Sequence, residues 1–150
     1  MTARAATKDD VDEVVRLAAL MYASMGHDVS SRAWIDAARE HFVSRLGGDL
    51  AVFVVDHPAR SGLAASAAGT LSTRLPAPNN VAARVAYVQW VATDDDVRRR
   101  GYARETMRAL LDWYDAQNVG VVELHASEAG EPLYRELGFS DAGPAALRRR

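Results

Sequence analysis

The chain has 150 residues, 49% of them apolar and 25% charged, with a net charge of −2 and no cysteine. That is enough for one domain with a core of ordinary size and too little for a second. The charge balance gives no general attraction to nucleic acid or an anionic membrane, and the missing cysteine excludes disulfides, thiolate metal sites and a cysteine nucleophile. Met1 to Thr7 lacks the basic flank and apolar stretch of a leader, and no run approaches the roughly 18 apolar residues of a membrane span. A cytoplasmic protein is the expectation, with the domain running over 1–150.

Taken in order, Thr2 to Ala6 can form a short first strand. Thr7-Lys8-Asp9-Asp10 reads as a helix N-cap with an acid at its third position, and Val11, Val14, Val15, Ala18, Met21 and Tyr22 follow at helical spacing. Gly26-His27-Asp28 ends that helix. Ser30-Ser31 caps a second one through Trp34, Ile35, Ala38, Phe42 and Val43, which Gly47-Gly48 stops. Leu50 to Asp56 and Leu63 to Arg74, joined by the turn His57 to Gly62, read as a hairpin. Beyond the loop Pro76 to Asn80 comes a central strand, Arg84 to Thr93. A third helix then runs from Ala103 to Gln117, a fifth strand from Gly120 to Ala126, and a short fourth helix from Pro132 to Leu137 with Gly138 as its stop. Phe139 to Arg150 must supply whatever strand remains. This order is mixed α/β, and the crossover through the third helix requires the strands it joins to be parallel.

The informative stretch is the junction of the central strand with the third helix. Val88 to Ala92 gives way to the acidic Asp94-Asp95-Asp96, then to Arg98-Arg99-Arg100-Gly101-Tyr102-Ala103. A helix entered through glycine leaves several backbone N–H groups aimed at one spot with the positive end of the helix dipole behind them, which suits a phosphate. Arg98-x-x-Gly101-x-Ala103 after a strand resembles the pyrophosphate-binding signature of the GNAT superfamily of acyl-CoA N-acyltransferases. Downstream, Leu124-His125-Ala126-Ser127 and Leu133-Tyr134-Arg135-Glu136-Leu137-Gly138-Phe139 resemble that superfamily's continuation. A dinucleotide-binding reading fits poorly, because the first glycine of Gly-x-Gly-x-x-Gly is missing.

The resemblance implies a GNAT-like α/β fold, a central mixed twisted sheet flanked by about four helices, and acetyl-CoA as the acyl donor with no metal. It implies that the main chain of Arg99, Arg100, Gly101, Tyr102, Ala103 and Arg104 cradles the pyrophosphate, with the Arg98, Arg99, Arg100 and Arg104 side chains adding charge. Main-chain groups near Val91 and Thr93 would bond the pantetheine arm where two strands splay. Ser127 stands where the family often has asparagine. Tyr134 matches the family's proton donor to the departing thiolate. The general base is not identified by any motif: His125 is the first candidate, and His27 with Asp28 the second. Acetyl transfer to a primary amine of a small molecule is the leading function, and a non-catalytic acyl-CoA sensor on the same fold is the alternative. No nucleic-acid or membrane partner is expected, and the family suggests a homodimer. Acceptor specificity is assigned to the loops at Met25 to Ser31 and Pro76 to Asn80 and to the tail.

Overall fold

The computed structural model describes residues 2–150. Met1, where both the domain and the leader readings begin, lies outside them. Five strands form one sheet in sequence order: β1 (Arg4–Ala5), β2 (Leu50–Asp56), β3 (Leu63–Thr73), β4 (Arg84–Thr93) and β5 (Val121–Glu123). Neighbours pair antiparallel from β1 to β4, and β5 runs parallel to β4. The connection between that parallel pair is α3 (Tyr102–Ala116), as parallel pairing demands. The other helices are α1 (Val11–Ser24), α2 (Arg32–Arg45) and α4 (Glu131–Glu136). This is the mixed α/β architecture that the sequence implies. No helix among the described residues is long and apolar enough to cross a membrane.

Local signals explain most element boundaries. The Asp10 carboxylate accepts from the Thr7 N–H at 2.8 Å, closing the entry to α1 through a short 3-10 turn at Lys8–Asp10. The Ser31 Oγ accepts from the Trp34 N–H at 3.3 Å and starts α2. The sheet is packed on both faces. Val14, Leu17, Phe42, Val52 and Val54 form the core under α1 and α2; Ala86, Val88, Met107, Leu110 and Tyr114 form the one under α3. Strand β3 lies between them and is built of small residues from Ala64 to Gly69, so both layers can approach it. At Gly69 the fit is strict. A Cβ there would lie 2.0 Å from the Tyr114 hydroxyl, which donates to the Thr70 carbonyl at 3.0 Å.

Three expectations need correction. The first strand is only Arg4–Ala5, not Thr2 to Ala6. Strand β5 is Val121–Glu123, not Gly120 to Ala126, so His125 stands two residues past the strand. Phe139 to Arg150 adds no strand. Phe139 still packs against the α3-side core, but Gly143 takes φ 91° and Pro144 has no N–H for a ladder, so the chain turns away exposed.

Candidate active site

The loop from β4 to α3 is pinned by apolar side chains at both ends. Val97 and Tyr102 are buried with Val55, Ala64 and Ala65, while Arg98, Arg99, Arg100 and Gly101 between them are exposed. Arg99 (φ 64°) and Gly101 (φ 84°) both take left-handed backbone, which folds the chain back on itself on either side of Arg100. The first helical bond of α3 runs from the Glu105 N–H to the Gly101 carbonyl at 3.0 Å. The N–H groups of Tyr102, Ala103 and Arg104 therefore have no acceptor within the helix and form a ready anion site. Arg98 pairs with Asp95 at 2.9 Å and Arg104 with Glu136, so these two guanidiniums are already engaged. Arg99 and Arg100 have no carboxylate partner among the described residues and are the free charges at this loop.

Beneath the loop a polar clasp ties three parts of the chain together. Arg16 of α1 donates to Glu13 at 2.6 Å and to Asp94 at 3.1 Å, Arg60 also donates to Asp94, and Glu13 accepts from the Leu63 N–H at 2.9 Å. The His57 Nδ1 accepts from the Ala59 N–H at 3.1 Å, so its Nε2 carries the proton and donates to Asp96 at 3.1 Å. That bond holds the Asp96 carboxyl below its ordinary value, and the Arg16 guanidinium does the same to Glu13. His57, Asp94 and Asp96 lie close enough together to suggest a cation. Asp94 is instead committed to Arg16, Arg60 and the Asp95 N–H, and His57 to the Ala59 N–H and the Asp96 carboxylate, which is the chemistry of an anchor.

Strand β4 is unequal on its two sides. Towards β3 it is paired from Arg84 to Thr93; towards β5 only Val85, Ala86 and Tyr87 have partners. Past Tyr87 the β4 backbone from Val88 to Thr93, Val91 and Thr93 included, has no strand partner on that side. The same segment carries a bulge. Ser66 pairs with Ala92 and Ala68 with Gln89, so Trp90 and Val91 together face Ala67 alone. Trp90 has φ 55°, an uncommon conformation for a bulky residue, held here by the surrounding core.

Beyond the end of β5 come His125, Ser127 and Tyr134. Tyr134, on α4, packs edge-on against Phe139 with ring centroids 6.1 Å apart and joins the α3-side core. Unlike Tyr114, its hydroxyl makes no hydrogen bond to the described residues. Burial pushes its ionisation above the ordinary value of 10.0, so it stays protonated at neutral pH. Its room depends on Gly130, where a Cβ would lie 2.9 Å from the ring. The Ser127 Oγ accepts from the Gly130 N–H at 3.2 Å and so serves the turn into α4. His125 is exposed and edge-on to Tyr87 at 5.8 Å, where the β4–β5 pairing ends. The second candidate pair lies elsewhere. His27 packs on Tyr22, and Asp28 accepts from the Ser30 N–H and Oγ, bonds that lower its carboxyl and mark it as a turn residue.

On the α1–α2 side of β4 lies a cavity of about 300 Å³ whose walls include Tyr22, Trp34, Phe42, Gln89 and Trp90. A second recess, lined by Tyr22, His27, Asp28, Val29 and Trp34, adjoins it.

A family model described as an acetyltransferase (GNAT) domain matches residues 2–142. The chain belongs to the GNAT acetyltransferase family. No curated protein matches the sequence. Among solved structures, a predicted acetyltransferase from Clostridium acetobutylicum, crystallised with acetyl-CoA, superposes with a TM-score of 0.86 at 20% identity, over 99% of this chain and 95% of that one. A GCN5-related N-acetyltransferase from Ralstonia eutropha gives 0.84 at 23%, over 98% and 97%. Glucosamine-6-phosphate N-acetyltransferase from Arabidopsis thaliana gives 0.75 at 16%, over 99% and 97%. At these identities the likeness establishes a GNAT fold and nothing finer.

Within this GNAT fold, the residues expected at the coenzyme site from Val91 to Arg104 fall along one open strand edge and the helix start that follows it. His125 lies against Tyr87, where the β4–β5 pairing ends, and Tyr134 packs in the same α3-side cluster as Val91, whereas His27 and Asp28 line the recess beside Tyr22 and Trp34. The sequence reading missed the clasp of Arg16, Asp94 and His57, the room made by Gly130, and the aromatic cavity. Trp34, Phe42 and Tyr22 sit at helical spacing, and that pattern marks an inward face without separating filled core from cavity wall.

Proposed function

We propose that this protein transfers an acetyl group from acetyl-CoA to a primary amine of a small acceptor within one ternary complex. The observation that carries the reading is a strand edge left without a partner beyond Tyr87, followed directly by a helix start whose first N–H groups have no acceptor. When bound, acetyl-CoA supplies an activated acyl carbon and a thiolate leaving group.

The chain's own groups have definite tasks. The N–H groups of Tyr102, Ala103 and Arg104 and the loop at Arg99 to Gly101 hold the diphosphate, with Arg99 and Arg100 free to add charge-assisted bonds. Arg98 and Arg104 join only by leaving Asp95 and Glu136. The open β4 edge at Val91 and Thr93 takes the pantetheine amides as an added strand. A backbone N–H at or beside Val91 faces the acyl oxygen as it gains charge. Ser127 contributes a weaker contact than an asparagine amide, because its hydroxyl already accepts from Gly130. Tyr134 holds the proton that the departing sulfur takes, and its raised ionisation keeps that proton in place. His125, where the β4–β5 pairing ends, receives the proton that the amine loses.

Calorimetric titration with acetyl-CoA, followed by thiol release over a panel of primary amines, tests this reading. Binding and acceptor-dependent release are expected. Tight binding with no release on any amine would make the protein an acyl-CoA sensor instead.

A further inference from the structure

The cavity on the α1–α2 side indicates which amine this protein takes. Its walls are aromatic from three directions: Tyr22 on α1, Trp34 and Phe42 on α2, and Trp90 on β4. Trp34 stands edge-on to Tyr22, with ring centroids 5.9 Å apart and planes at 83°, an arrangement that leaves ring faces and edges for a third aromatic group. Gln89 and Trp90 are consecutive on a strand, yet both line the cavity. Regular pleating would send one of them to the opposite face. The bulge opposite Ala67 and the φ of 55° at Trp90 cancel that alternation and bring an indole to the wall beside Val91. Backbone strain at a bulky residue is thus tied to the shape of this cavity.

Charge narrows the ligand class further. No carboxylate lines the cavity itself, and Asp28 of the adjoining recess already accepts from the Ser30 N–H and Oγ, so a polyamine finds no unengaged counter-charge there. The one guanidinium at the wall, Arg45, is held by both Asp49 oxygens, at 2.9 and 2.5 Å, and its other Nη lies 3.3 Å from the His41 Nδ1. A phosphate or carboxylate would have to displace that pair. The volume, about 300 Å³, is roughly twice the ~150 Å³ that admits a benzene ring in a protein interior. It suits one aromatic ring with a short aliphatic arm.

We infer that the acceptor is a monoamine with an aryl or similarly bulky apolar body, seated among Tyr22, Trp34, Phe42 and Trp90 with its amino group towards Gln89 and Val91. This rests on the acetyltransferase reading and adds the substrate class to it. The test is thiol release with 2-phenylethylamine, spermidine and glucosamine 6-phosphate, together with acetyl-CoA titration of each variant. The aryl amine should exceed the other two in kcat/KM by about tenfold or more, the discrimination an apolar pocket supplies. Trp34→Ala should remove about tenfold from the aryl amine alone and leave the acetyl-CoA Kd unchanged. Should that variant not fold, Ala37→Asp, at an exposed position on the cavity wall, should shift the preference towards spermidine. A wild-type preference for spermidine or the sugar phosphate, or a folded Trp34→Ala with unaltered kcat/KM, would overturn the inference while the transferase reading stands. Acetyl-CoA binding without release on any amine would overturn it along with the catalytic reading, and failure to bind acetyl-CoA would remove the foundation of both.

Discussion

The two edges of β4 have the same backbone chemistry and opposite fates. On the β3 side the ladder runs from Arg84 to Thr93, and the loop that follows is tied down by Asp94, held by Arg16 and Arg60 from α1 and the β2–β3 turn. On the β5 side, pairing stops at Tyr87. An open strand edge is ordinarily a liability, because its unpaired N–H and C=O groups recruit other chains. Here the open edge is short, carries a bulge, and begins where Tyr87 meets His125. The closed edge provides rigidity, and the open one keeps unpaired backbone groups, which the proposed function assigns to the ligand. Substitutions on the two sides should therefore separate function from stability.

The largest expected effect is on the open side. Tyr134→Phe keeps the ring that packs on Phe139 and removes the hydroxyl that has no protein partner. It should lower kcat by about 10²–10⁴-fold, the usual contribution of a positioned acid, with the acetyl-CoA Kd and the melting temperature unchanged. A fall in affinity of the same size as the fall in kcat would show that the hydroxyl binds and does not donate. Next in size is Gly101→Glu. Gly101 sits at φ 84° with open space where a Cβ would project, so the side chain itself disturbs little packing. It would put a negative charge at the helix start and cost one or two charge-assisted hydrogen bonds at ~1.5–3 kcal/mol each, weakening acetyl-CoA binding by about a hundredfold. Unaltered binding, measured by calorimetry, would mean that the anion sits elsewhere.

How much of this was legible in the sequence follows the same division. Helices α1 and α3 emerge from the spacing of one buried face and strands β2 and β4 from their apolar runs, and Ser31 and Gly101 mark the starts of α2 and α3 through local chemistry. The Arg98-to-Ala103 loop, proposed above to hold the pyrophosphate, stood out because its glycine and small residue act locally. The cavity was not: Trp34, Phe42 and Tyr22 look the same in sequence whether they touch one another or enclose a space. The bulge at Trp90 was also hidden, since it arises from register against β3 and no glycine announces it. The clasp joins residues as far apart as Arg16 and Asp94, and such pairs leave no local trace. The tail misled because a sheet edge invites another strand, while Gly143-Pro144 turns the chain away.

The closed edge should respond in stability and hardly in turnover. Asp94→Ala removes the carboxylate that Arg16 and Arg60 share and leaves Arg16 with Glu13 alone. Loss of one member of a fully buried pair costs about 3–5 kcal/mol; here the guanidiniums are 35% and 42% exposed, so ~1–3 kcal/mol is expected from denaturant unfolding. The loop it anchors carries the proposed diphosphate site, so acetyl-CoA affinity should fall several-fold while kcat at saturation stays within about twofold.

Glu13→Gln tests the same clasp through pH and should have the smallest effect. The Arg16 guanidinium, and then the Leu63 N–H, hold the Glu13 carboxyl below its unfolded value of 4.5. A depressed carboxyl stabilises the fold fully above the unfolded value, and that contribution is lost as pH falls through the depressed folded one. The wild type should therefore lose ~1 kcal/mol more than Glu13→Gln between pH 6 and the acid limb below 4.5, a modest figure because Glu13 is 29% exposed. Parallel stability–pH curves for the two proteins would mean that Arg16 is held by Asp94 alone. Curves that converge in acid would place Glu13 in the anchor that fixes the closed edge and, through Asp94, the loop that opens onto the other.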